Sequence, residues 1–167
     1  MNIEMKVTNL SISKKLKEIG VNQKSYFSWY AFENPSNRIF KESDLDNDMW
    51  RISTTRDASK GGADWVYPAF TASELIDMLP HSVDTKINEP FNNYRFWMTK
   101  SFIVEGNELT KRFIYIVNYK CDSTECAGEN AWLSRQLTSN IHDENLANAL
   151  SLMLIFLIEN KFMEIPK

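Results

Sequence analysis

A chain of 167 residues with 43% hydrophobic and 25% charged side chains has the balance of an ordinary globular protein, and its length suits one domain. The net charge of −3 provides no basic face for duplex nucleic acid, so duplex binding is not expected. Five glycines and five prolines are too few for disorder, and the longest apolar run, Leu152 to Ile158, is far short of the about 20 residues that cross a bilayer.

Taken in chain order, the first element predicted is an amphipathic helix in TNLSISKKLKEIG. Ile12, Leu16 and Ile19 recur at helical spacing, Lys14, Lys15 and Lys17 form a basic outer face, Thr8 or Ser11 caps the start, and Gly20 closes the end. SYFSWYAF (25–32) reads as a strand, ENPSN as a turn and RIFK as a returning strand. Residues 43–63 read as a flexible loop. Asp44, Asp46 and Asp48 alternate there, but an EF-hand needs glycine sixth and glutamate twelfth, where this chain has Met49 and Thr55. Ser59-Lys60-Gly61-Gly62 reverses the order of a phosphate-binding loop.

In YPAFTASELIDMLP, Thr71 and Glu74 have the spacing of a capping box. Phe70 and Leu75 form a hydrophobic staple, and Pro80 ends the short helix. Tyr94 to Tyr119 predicts a hairpin turning at Gly106-Asn107. With Glu105 opposite Glu108, Tyr94 pairs with Tyr119, Phe96 with Val117, Met98 with Tyr115 and Val104 with Leu109, all on the core face. The opposite face holds Arg95, Trp97, Thr99, Ser101, Arg112, Ile114, Ile116 and Asn118, too apolar in its middle for plain solvent surface. Residues 132–137 suggest one helical turn. The last helix, in HDENLANALSLMLIFLIENK, has a Leu146/Ala149/Leu150/Met153/Leu154/Leu157 stripe and Asn160 at its end, and should lie on the Phe96/Met98/Tyr115/Val117 face.

Chemistry is sparse in this sequence. His81 and His142 lack metal-ligand spacing, and nothing marks a nucleophile beside a base. Cys121 and Cys126 are too few for a disulfide framework or a four-cysteine zinc site. No catalytic residue, metal or cofactor is expected. Aromatic residues, at 13%, exceed what a small core readily absorbs. Trp29, Trp65, Tyr67 and Trp97, with Arg95 and Arg112, are therefore the candidate binding residues, through base stacking with arginine on phosphate or as a protein interface.

The blocks SKKLKEIGVNQKSYFSWY, YPAFTASELIDMLP and NLANALSLMLIFLIENK resemble those of small uncharacterised phage and prophage proteins, which share an AFTxxELxxMLP helix and a closing LAxALxxMLIxLxEN helix. The resemblance spans roughly residues 13–161. It implies a mobile-element setting in a bacterial host cytoplasm and carries no activity.

The expectation is thus a single α+β domain over residues 1–167: an antiparallel sheet of hairpins against a long buried C-terminal helix and two shorter helices. With no apolar leader in Met1 to Lys6, it is expected to be soluble and cytoplasmic with reduced thiols. Its expected role is a non-enzymatic binding or modulator protein acting on a host or phage protein; the alternatives are a module holding a small nucleotide-like ligand and an enzyme without a recognisable motif. An aromatic pocket with converging arginines would favour the ligand, an exposed aromatic patch the protein partner.

Overall fold

A computed structural model describes residues 6–21, 24–32, 42, 49–60, 63, 65–84, 93–105, 108–121, 135–137 and 141–166. The fold is α+β. Its elements are α1 (Leu10–Glu18), β1 (Phe27–Ala31), β2 (Arg51–Thr54), α2 (Thr55–Lys60), β3 (Trp65–Ala69), α3 (Ala72–Met78), β4 (Ser82–Asp84), β5 (Asn93–Glu105), β6 (Glu108–Cys121), β7 (Arg135–Gln136), β8 (Ile141–Asp143) and α4 (Leu146–Glu159). They build two antiparallel sheets rather than one. The first has the order β2-β1-β3; the second runs β4-β5-β6-β7, with β8 also on β6.

The first helix is capped by neither predicted residue but by the one between them nearest Thr8. Asn9 caps it by accepting from the Ile12 N–H, because the Thr8 hydroxyl is committed to Ser13 at 2.7 Å. Gly20 closes the helix at φ +94°, a conformation open to glycine. The Thr71/Glu74 capping box forms as predicted. Glu74 also accepts from the Tyr26 N–H at 2.8 Å, so one carboxylate both caps α3 and fastens the entrance to β1. Phe70 and Leu75 lie fully buried in one cluster.

That core gathers Leu16 and Val21 behind α1, Leu75 and Leu79 of the α3 segment, Tyr94, Val117 and Tyr119 of the second sheet, and the α4 stripe from Ala147 to Leu157. Nine of the fourteen α4 residues are buried, consistent with its apolar run. Burying side chains of this kind contributes about 1.5–3 kcal/mol each, which makes α4 the largest single source of core.

Several expectations need correction. Within the predicted 43–63 loop, Arg51–Lys60 forms β2 and α2, because backbone pairing with β1 supplies what apolar periodicity did not. The hairpin register holds at Glu105/Glu108 and Val104/Leu109 but slips by two residues farther in, where Phe96 faces Tyr119 and Met98 faces Val117. A bulge causes the slip: β6 advances from Phe113 to Leu109 while β5 advances only from Phe102 to Val104. A slip of two preserves the faces, since side chains alternate with period two. Met98 nevertheless lies outside the core, 39% exposed. In place of a helical turn, Arg135–Gln136 is a strand on β6. Cys121 is disulfide-bonded, against the expectation of reduced thiols. Two cysteines are too few for a disulfide framework but enough for a single bond. The returning strand RIFK, the Gly106-Asn107 turn, the Asp44/Asp46/Asp48 alternation and Cys126 fall outside the described residues. Among the described residues no helix is long and apolar enough to cross a membrane.

Candidate functional site

The six candidate binding residues separate onto the two sheets. Cross-strand pairing puts Trp29 beside Tyr67 and Ala31 beside Trp65, so Trp29, Trp65 and Tyr67 share one face of the first sheet. The polar atoms of Trp29 and Tyr67 are engaged there. Trp29 donates from Nε1 to the Thr8 carbonyl at 2.8 Å, and the Tyr67 hydroxyl donates to Glu42. Lys14 holds the other Glu42 oxygen at 2.6 Å while its ammonium sits 4.6 Å from the Trp50 ring centre. Lys17 lies 4.6 Å above Tyr67 and donates to the Val66 carbonyl at 3.0 Å.

Burial and the neighbouring Glu42 push the Tyr67 phenol up to about 12. Burial pushes Glu42 up too, but hydrogen bonds from Lys14 and Tyr67 and the charges of Lys14 and Lys17 outweigh it, holding that carboxyl below its ordinary value. This cluster around Glu42 clamps α1 to the sheet, giving the Tyr67 ring a scaffold role.

Arg95, Trp97 and Arg112 belong to the second sheet. The Lys120 ammonium covers the Trp97 ring at 3.3 Å, and Arg112 is paired with Glu144. Arg95 is exposed opposite Lys120. The tryptophans and arginines therefore do not converge on a shared cleft among the described residues. A small cleft of about 210 Å³ opens beside α1, lined among others by Lys17, Val21, Lys24, Val66 and Pro68. Among the described residues no aromatic ring or arginine lines it, and it is below the about 300 Å³ where small-molecule sites usually begin. It does not fit a stacked nucleotide.

A different group of residues, passed over in the sequence, is open. The β5–β6 hairpin outruns the core, and on its core-side face Met98 is 39%, Phe102 53% and Phe113 36% exposed. Phe102 and Phe113 are cross-strand partners with ring centres 4.6 Å apart. Lys100, between Met98 and Phe102, lays its ammonium 4.0 Å from the Phe113 ring centre. The signal available in the sequence was length: strands of 13 and 14 residues exceed the usual 5–6 about twofold, too long for one small core to cover.

No family model, curated protein or solved structure matches this chain.

Proposed function

We propose that this chain is a protein-binding module, a modulator that docks on a second protein through the outer half of the β5–β6 hairpin. The observation that carries the reading is the exposed Phe102/Phe113 pair, with Met98 exposed on the same face beyond Lys100, left to solvent at a place where aromatic side chains usually find cover. Aromatic side chains are enriched at protein interfaces, and a pair already packed across two strands loses little entropy on docking.

The resemblance to small phage and prophage proteins points to a host or phage protein as partner, in a bacterial cytoplasm. The bonded Cys121 argues for a more oxidising setting, so the partner is to be sought in the cell envelope as well as in the cytosol. The test is native mass spectrometry of the tagged protein purified gently from its host, alongside the Phe102→Ser/Phe113→Ser double variant. The expected result is a stoichiometric partner with wild type, reduced at least tenfold with the variant while its circular dichroism is unchanged. A partner retained equally by both would refute the surface, and a small-molecule adduct on wild type would favour the ligand-binding alternative.

A further inference from the structure

The hairpin has an edge as well as a face. β4 pairs with β5 only at Asn93, Tyr94 and Arg95, and among the described residues no strand pairs with the same edge beyond Arg95. β6 occupies the opposite edge. From Trp97 to Phe102 the outer edge of β5 therefore has no strand beside it among the described residues, the Phe102 carbonyl accepting from the adjacent Ser101 hydroxyl at 3.5 Å, and this edge is a template for an added strand. Natural edges are commonly blunted by shortness, proline, bulges or lysine. This strand has no proline, its bulge lies beyond Phe102, and the only charged side chain between Trp97 and Phe102 is Lys100.

Resting on the protein-binding reading, we infer that the partner contributes a β-strand to this edge, with the pattern apolar–x–acidic–x–apolar. A strand added beside β5 places alternate residues next to Met98, Lys100 and Phe102 on the same face. Apolar residues match the first and last. A carboxylate matches Lys100, which has no carboxylate partner among the described residues and rests on the Phe113 and Tyr115 rings. The opposite face, at Trp97, Thr99 and Ser101, accepts β-branched or polar residues. A second copy of the chain is opposed: the antiparallel register that brings Met98 against Phe102 also sets Lys100 against Lys100, and like charges directly opposite are destabilising.

The probes are the blocked peptide Thr-Val-Thr-Glu-Thr-Val-Thr, its Glu-to-Lys counterpart, and a version N-methylated on alternate amides, each titrated into the full chain. The expected result is a slowing of at least tenfold in amide hydrogen exchange at some of Trp97–Phe102 with the Glu peptide at saturation. The Lys and N-methylated peptides should give none, and high salt should weaken the effect. Lys100→Glu, a change at an exposed side chain, should reverse the preference towards the Lys peptide. Equal protection by the Glu and Lys peptides, or none by either, would overturn the inference. If neither peptide protects β5 while partner capture still depends on Phe102 and Phe113, strand addition fails and the docking face stands. If capture ignores both rings, the docking face itself fails. A concentration-dependent dimer in sedimentation, dissolved by Phe102→Ser, would assign the edge to a second copy and overturn the inference.

Discussion

At Thr8, a fully buried residue just before the first helix, every polar atom is in use. Its N–H donates to the Phe70 carbonyl at 2.9 Å and its carbonyl accepts from Trp29. Its hydroxyl accepts from the Phe70 N–H at 3.1 Å and shares a hydrogen bond with Ser13. Thr8→Val keeps the shape but removes the acceptor, and should lower stability by about 1–3 kcal/mol, the usual cost of an orphaned buried donor. Thr8→Ser keeps the hydroxyl and should lose less; the two urea midpoints decide the order. Tyr67 gives a prediction in pH. Its phenol is raised from 10.0 to about 12 in the fold, by burial first and then by Glu42. Stability from a raised group is complete below the unfolded value and lost as pH climbs through the folded one. Wild type should therefore lose more stability than Tyr67→Phe between about pH 10 and 12, and the gap between their unfolding free energies should narrow. Tyr119, raised mainly by burial, is common to both proteins and drops out of the difference. Parallel curves would mean that the Tyr67 phenol is neither buried nor held by Glu42 in solution.

Among the elements, α4 was legible because its stripe repeats with the helical period, and α3 because its capping box is local chemistry that no distant residue alters. β2 and α2 were not. Arg51–Lys60 buries only Ala58 fully, so the stretch has no hydrophobic pattern to read. The hairpin was legible in its faces and not in its inner register, since a bulge leaves no mark in residue type. One α4 residue conflicts with its surroundings. Ser151 is fully buried, and its hydroxyl has no hydrogen-bond partner among the described residues. Ser151→Ala should raise stability by about 1 kcal/mol, since it removes an unsatisfied buried hydroxyl and installs the better helix former. A higher midpoint in chemical denaturation is the expected outcome. A lower one would show that the hydroxyl bonds to a group outside the described residues.

Across the whole molecule, the candidate site was harder to read than the fold. Ring count pointed to Trp29, Trp65 and Tyr67, yet the polar atoms of Trp29 and Tyr67 are tied into the packing of the α1 segment on the sheet, because a sheet covered by a helix needs large side chains on that face. Exposure is decided by how far the hairpin extends past the core, which no single residue states. The same long-range logic bears on whether the two sheets behave as one unit. The short segment Val7–Asn9 ties the first sheet to the start of α3 and to α4. Val7 bridges Thr71 and accepts from the Asn145 side chain at 2.9 Å, Thr8 binds Phe70 and Trp29, and the Asn9 N–H donates to Asn148 at 2.9 Å. Lys15 adds a link from α1 to Glu159 of α4 at 3.1 Å. With so many ties, opening the first sheet frees α1, which packs between β3 and α4, and releasing α4 removes the support of α3 and α1. Unfolding should therefore be a single transition. Trp29, Trp50 and Trp65 report on the region of the first sheet, and far-ultraviolet circular dichroism is dominated by α4 and the other helices. In urea the fluorescence and dichroism curves should superimpose. A fluorescence midpoint clearly below the dichroism midpoint would mean that the first sheet opens alone, and that the Val7–Asn9 contacts are too weak to couple it to the core.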